Sequence, residues 1–169
     1  MSNVQRLKNS EKIFFITTNL NLGEQTFHQP EFQIIAETIV SERRRLGFLL
    51  FGYVLMADHW HALIWPRSPV TISDILQNVK RVSSLKINRL RRTHGSRWQH
   101  QFWDRFVRHT EEFRQRLEYM HYNPVRDSLV KRPEDWKWSS YINFSLDKSL
   151  VAACTIQIDY VHLPANYRA

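Results

Sequence analysis

Residues 48–65 read FLLFGYVLMADHWHALIW, two apolar runs that meet at a polar turn. The first run, residues 48–56, is almost continuously apolar, which is typical of a central β-strand. The second run, residues 60–65, follows a turn near Ala57 and Asp58 and is expected to pair with the first. This stretch therefore predicts the centre of an antiparallel sheet.

Further elements flank this centre on both sides. Residues 13–17 (IFFIT) are rich in branched and aromatic residues, which favours a strand. Residues 31–46 and 72–92 place apolar side chains at helical spacing, and residues 101–108 are predicted to form a last strand. The resulting order is βαββαβ, which predicts an α+β fold with a ferredoxin-like or RRM-like antiparallel sheet and helices on one face.

A third helix is expected after the last strand. Thr110 is its predicted N-cap, and the helix should stop before Pro124, which lacks a backbone N–H. We expect residues 1–145 to form one domain and residues 146–169 to form a C-terminal tail, in which no motif indicates chemistry.

The composition favours an anionic partner. The chain has 24 Lys and Arg against 16 Asp and Glu, a formal charge of +8, so nucleic acid is the first candidate partner and an anionic membrane the second. A single cysteine excludes an intrachain disulfide and a four-cysteine zinc site, and fits a reducing compartment. Because the chain has neither a signal peptide nor an apolar stretch near the ~20 residues of a membrane helix, a cytosolic location and no membrane partner are expected.

Two histidines in the second apolar run form the sharpest local motif. His59 and His61 lie on the same face of a strand, because successive side chains alternate, while Trp60 points to the other face. Two imidazoles at this spacing can bind one cation, but an H-x-H motif also arises by chance. An enzyme metal site needs a third ligand or open positions for water and substrate, so the motif alone leaves both interpretations open.

The third helix offers the missing groups. Phe113, Leu117 and Met120 cluster on its core face, and Tyr119 and Asn123 lie one turn apart on the flank of that face. If this flank faces the histidine strand, Asn123 would be the third metal ligand and Tyr119 a nucleophile. Without the histidines, a tyrosine at this position is ordinarily a half-buried aromatic residue.

Two long segments are similar to a known family. Residues 53–64 (YVLMADHWHALI) and 119–126 (YMHYNPVR), with residues 98–104 and 136–140 in the same order, resemble the single-tyrosine HUH (IS200-like) transposases. The closer resemblance is to the REP-associated tyrosine transposases of bacteria. The chain departs from that pattern at Ala57, where the family often has proline, and at residues 127–128. Neither departure removes a catalytic group.

This resemblance implies an enzyme that cuts and rejoins single-stranded DNA near hairpins of palindromic repeats. It implies Tyr119 as nucleophile through a 5′-phosphotyrosine, His59 and His61 as ligands of Mg²⁺ or Mn²⁺, and Asn123 as a further ligand. Imidazole ligands by themselves favour zinc, nickel or copper, so the identity of the metal comes from the resemblance alone. Related proteins act as monomers or as homodimers, and a nucleoid-associated location in the cytoplasm is expected.

Basic residues of the second long helix and its surroundings are candidates for contacts with DNA phosphates. They are Lys80, Arg81, Lys86, Arg89, Arg91, Arg92 and Arg108. Lys86 is also a candidate to reach into the site, although any one of these side chains can simply be solvated. Trp98, Trp103, Trp136 and Trp138 are candidates to stack on unpaired bases, and we expect this of at most two of them.

Two other functions compete with the enzyme. A non-catalytic nucleic-acid-binding module on the same fold would present surface aromatics as its platform, but would make no use of the histidine pair or of the Tyr119 and Asn123 spacing. A two-histidine phosphoesterase usually needs two separated H-x-[ST] motifs, and this chain has none.

Overall fold

The computed structural model describes residues 12–160. Its one four-stranded sheet is antiparallel throughout, in the order β2-β3-β1-β4. The strands are Phe14–Asn19 (β1), Leu49–Leu55 (β2), His59–Trp65 (β3) and Trp103–Phe106 (β4). The helices are Gln29–Leu46 (α1), Ile72–Arg91 (α2), Thr110–Arg126 (α3) and the short Lys148–Ala152 (α4). The predicted α+β fold and its βαββαβ order are confirmed.

The sheet separates two apolar layers. On one face, α1 and α2 pack over side chains such as Ile16, Trp60 and Ile64. On the other face, α3 packs through Phe113 and Met120. Because α3 packs on this second face, it is positioned to meet the side chains of β3 that point away from α1 and α2.

The two ends of α3 differ from the prediction. His109, not Thr110, is the N-cap, and its side chain accepts a hydrogen bond from the backbone N–H of Glu112. At the other end the helix passes through Pro124 to Arg126. Pro124 has no backbone N–H and cannot donate the helical hydrogen bond at its position. Because it lies in the last turn, the helix continues for only two residues beyond it.

The chain after α3 returns to the sheet. Trp138 is buried and stacks on Phe32 of α1, with ring centroids 5.4 Å apart. The Trp136 indole N–H donates to the Leu55 carbonyl. Residues 140–144 form a 3₁₀-helix (Ser140–Phe144), and Ile156 is buried in the α1 and α2 layer. Part of the segment assigned to the tail therefore contributes to the core.

A helix that crosses a membrane must be long and almost free of charge. Among the helices of residues 12–160, none meets that condition.

Candidate active site

The histidine pair lies on the face of β3 that looks towards α3. The ring centroids of His59 and His61 are 4.8 Å apart, whereas Trp60 between them is buried in the opposite layer. This arrangement follows from the alternation of side chains along a strand. The prediction that His59 and His61 lie on the same face of the strand is therefore confirmed.

Each imidazole is held by a neighbour at its Nδ1 atom. His59 Nδ1 lies 2.6 Å from a carboxylate oxygen of Asp58, and His61 Nδ1 lies 2.8 Å from Thr17 Oγ1. A carboxylate oxygen accepts hydrogen bonds, so Nδ1 of His59 is the donor in this contact and Nε2 is the ring atom available to a metal ion. Thr17 and Asp58 thus orient the two rings, a role that partners of metal-bound histidines commonly have.

His61 is neutral at ordinary pH. Burial, assisted by the nearby His59, lowers the pKa of His61 from 6.5 to about 3. Its Nε2 lies 3.1 Å from Nδ2 of Asn123, whose amide N–H can donate to the ring lone pair. The protein therefore keeps a lone pair on His61 directed at Asn123.

Helix α3 brings the tyrosine to the same place. Tyr119 lies on the flank of the helix, 38% exposed, with its ring centroid 5.6 Å from that of His61. Asn123, one turn later, is 5% exposed and reaches His61. The structure thus brings together His59, His61, Tyr119 and Asn123, the four residues singled out from the sequence.

Phe15 packs against this group, a contact that the sequence did not predict. Phe15 of β1 stacks on His61 at 5.3 Å and meets the edge of Tyr119 at 6.2 Å. The antiparallel register of β1 and β3 pairs Thr17 with His61. Phe15, two residues before Thr17, therefore lies on the same face of the sheet. Strand alternation within residues 13–17 could have suggested the face, but not the partner strand.

The donors at the site fit a divalent cation. The Nε2 atoms of the two imidazoles are available to a cation, and a half-turn of the Asn123 amide would present its oxygen instead of its nitrogen. Within residues 12–160, no group of three or more His, Cys, Asp or Glu side chains could hold a metal ion. A cation here would therefore rely on two histidines, an amide oxygen, and water or substrate.

Two of the predicted DNA-contacting cations are engaged inside the protein. Lys80 is 8% exposed, and its ammonium group donates to the carbonyls of Gln99 and His100 at 2.8 and 2.9 Å. Arg91 forms an ion pair with Glu31 at 2.8 Å. Both side chains connect separate segments of the fold. Their positive charge alone could not distinguish this role from a contact with DNA.

The remaining predicted phosphate contacts are exposed or partly exposed. They are Arg81, Lys86, Arg89, Arg92 and Arg108. The expectation that Lys86 reaches into the site is wrong, because α2 packs on the opposite face of the sheet from the histidines. Their contact with DNA stays a prediction.

The tryptophans differ sharply in exposure. Trp98 and Trp138 are buried, and Trp136 is partly buried with its indole N–H bonded to the backbone. Trp103 of β4 is 47% exposed and lies beside Phe15, with ring centroids 6.0 Å apart. Among the four candidates, Trp103 therefore offers the most open ring, on the face that carries the histidines.

Comparisons with known proteins agree with this fold and its order of elements. Over 147 residues the chain is 25% identical to the REP-associated tyrosine transposase of Escherichia coli K12, covering 83% of each protein. A solved REP-associated tyrosine transposase bound to a REP hairpin superposes with a TM-score of 0.70 at 22% identity, covering 93% of this chain and 88% of that one. Residues 16–119 match the family model described as "Transposase IS200 like". The chain therefore belongs to the IS200-like transposase family.

Proposed function

We propose that this protein is a metal-dependent transposase that cuts single-stranded DNA at hairpin-forming repeats and rejoins it through Tyr119. One observation carries the proposal: the Tyr119 ring lies 5.6 Å from His61, on the one face of the sheet where His59, His61 and Asn123 converge. A phenol from one element beside two oriented imidazoles from another is an arrangement that a purely DNA-binding module does not need.

The reaction follows from the chemistry of a phenol. Tyr119 Oη attacks the scissile phosphorus, forming an Oη–P bond while the bond from phosphorus to the 3′ oxygen breaks. The phenol loses its proton to the solvent, and the departing 3′ oxygen takes one up to become a free hydroxyl. The new phosphotyrosine is itself a diester, so attack by a 3′-hydroxyl on it reverses the step and reseals a strand.

A bound Mg²⁺ or Mn²⁺ would supply charge stabilisation at the scissile phosphate. His59, His61 and Asn123 would hold it. Thr17 and Asp58 fix the orientation of the imidazoles in advance, and Phe15 packs beneath His61 and Tyr119. Prior alignment of these groups reduces the reorganisation that the reaction would otherwise require.

The DNA partner is proposed on three grounds. The chain is strongly basic, exposed cations line α2 and the segment before α3, and Trp103 presents an open ring near the site. Aromatic rings can stack on unpaired bases regardless of sequence, and exposed cations bind the backbone. A relative of similar fold was solved with a REP hairpin, and we propose a hairpin with a single-stranded flank as the substrate.

The test is covalent capture. A labelled hairpin oligonucleotide with single-stranded flanks is incubated with the protein and Mn²⁺, then denatured and separated by electrophoresis. The wild-type protein should carry the label, and Tyr119→Phe should carry none while binding the oligonucleotide with unchanged affinity. His61→Ala and omission of the metal should each reduce the adduct by about a hundredfold or more.

Tyr122→Phe is the matched control. Tyr122 lies on the same helix, three residues after Tyr119, and is 44% exposed, so its substitution should leave the adduct unchanged. Binding without any adduct from the wild-type protein, across metals and oligonucleotides, would instead identify a non-catalytic module.

A further inference from the structure

The last turn of α3 carries a cation for which the fold has no evident use. Arg126 lies seven residues after Tyr119, two turns along the same side of the helix. Its guanidinium carbon lies 4.9 Å from the centre of the Tyr119 ring. The side chain is exposed, and within residues 12–160 its guanidinium has no carboxylate or carbonyl partner.

The other arginines near the site share a carboxylate partner. Arg105 and Arg108 bind the buried carboxylate of Glu112 at 2.9 and 3.1 Å, and Arg116 approaches it at 3.9 Å. Although burial alone would raise the pKa of Glu112, hydrogen bonds from Arg108 and the charges of Arg105 and Arg108 lower it, so the carboxylate stays ionised. Arg126 differs from these arginines because, within residues 12–160, it has no carboxylate partner, so its donors remain available to a ligand.

A groove next to the tyrosine leaves room for that ligand. It has a volume of about 570 Å³ and is open to solvent. Its lining residues are Gln115, Arg116, Glu118, Tyr119, Tyr122 and Arg126. The groove is polar and lies along the exposed flank of α3, so a segment of DNA backbone could follow it past the phenol.

We propose that Arg126 binds the phosphate that Tyr119 attacks, an inference that rests on the proposed function. A guanidinium presents a planar pair of N–H donors that match two non-bridging phosphate oxygens. The guanidinium lies over the Tyr119 ring, so its donors are next to the phenol that attacks the phosphate. It holds the same phosphate before attack and in the phosphotyrosine.

A weaker role is available to the same residue. A guanidinium over an exposed aromatic ring stabilises the fold slightly, with no effect on chemistry. The two roles predict different kinetics, because only a phosphate contact acts on the reaction of bound DNA.

The experiment measures the rate of adduct formation at saturating hairpin oligonucleotide and Mn²⁺. Arg126→Ala should slow this rate at least about tenfold and change the dissociation constant for DNA less than about threefold. Arg126→Lys should retain an intermediate rate, because an ammonium supplies the charge but not the paired donors. Arg114→Ala is the matched control, since Arg114 lies exposed on α3 and pairs only loosely with Glu111 at 4.0 Å, and it should react like the wild type.

Chemical rescue separates a phosphate contact from a structural one. Millimolar guanidinium should restore part of the Arg126→Ala rate, whereas sodium chloride at the same concentration should not. A wild-type rate in Arg126→Ala, a loss confined to DNA affinity, or a slow rate without rescue would each overturn the assignment of Arg126. A wild-type protein that forms no adduct would overturn the proposed function itself, which is a separate result from any of these.

Discussion

Acidification should destabilise this protein through His121, the buried histidine of α3. Burial lowers the pKa of His121 from 6.5 to about 3, because a charged imidazolium would lose its hydration there. The unfolded chain takes up this proton as the pH falls through 6.5, whereas the folded chain does so only near pH 3. The stabilisation from the neutral ring is therefore complete above pH 6.5 and is lost as the pH falls towards 3.

The size of the effect follows from these two values. At pH 5 the solution lies about 1.5 pH units below the pKa of the unfolded histidine, which corresponds to about 2 kcal/mol of lost stability. His61 has a similarly lowered pKa and adds a similar loss. The contribution of His121 therefore appears as the difference between the wild type and a variant that cannot titrate at this position.

Urea unfolding followed by tryptophan fluorescence measures that difference. Between about pH 7.5 and about pH 5, His121→Gln should lose about 2 kcal/mol less stability than the wild type. Ser140→Ala is the control: it removes the hydroxyl that lies 2.8 Å from His121 Nε2 but keeps the buried ring. It should be less stable at both pH values, with the wild-type dependence on pH. Equal losses in the wild type and His121→Gln would refute the reasoning, because the folded protein would then protonate His121 as readily as the unfolded chain.

Three further outcomes test individual side chains. Asp58→Ala should weaken Mn²⁺ binding about 10- to 100-fold by calorimetry, because His59 loses the acceptor that orients it; unchanged affinity would show that this contact does not matter. Lys80→Met should lower the free energy of unfolding by about 2–3 kcal/mol, because the hydrogen bonds from the ammonium group to the Gln99 and His100 carbonyls are lost, yet keep the salt dependence of DNA binding; a shallower salt dependence would mean that Lys80 contacts phosphate. Trp103→Ala should weaken binding of single-stranded DNA by about 1–3 kcal/mol in fluorescence anisotropy, with little change in stability. Trp138→Ala should instead cost about 3–5 kcal/mol of stability, because Trp138 is buried. The reverse pattern would exclude Trp103 as a stacking platform.

Local periodicity was sufficient to predict much of the site. Alternation along a strand set His59 and His61 on one face, and helical spacing set Tyr119 and Asn123 one turn apart. Both rules depend on a few neighbouring residues, so they hold whatever the tertiary structure. Neither rule shows that the two pairs face each other. The residues left this open, and only the resemblance to the IS200-like family implied it.

Contacts between distant segments could not be predicted from the sequence. The pairing of Thr17 with His61 depends on the register of β1 against β3, which nothing within either strand fixes. Lys80 and Arg91 have the same charge as the exposed cations of α2, and only the fold shows that they bind carbonyls and Glu31. The N-cap at His109 was missed because the residue after it, Thr110, is itself a strong capping type.

The central claim is that Tyr119 becomes covalently bound to DNA, and peptide mapping tests it most directly. After reaction of the hairpin oligonucleotide with Mn²⁺, trypsin releases residues 117–126 (LEYMHYNPVR), which contain Tyr119 and Tyr122. Fragmentation in the mass spectrometer should locate a nucleotide phosphate on Tyr119. A nucleotide on Tyr122, on a tyrosine of another peptide, or on no residue at all would contradict it.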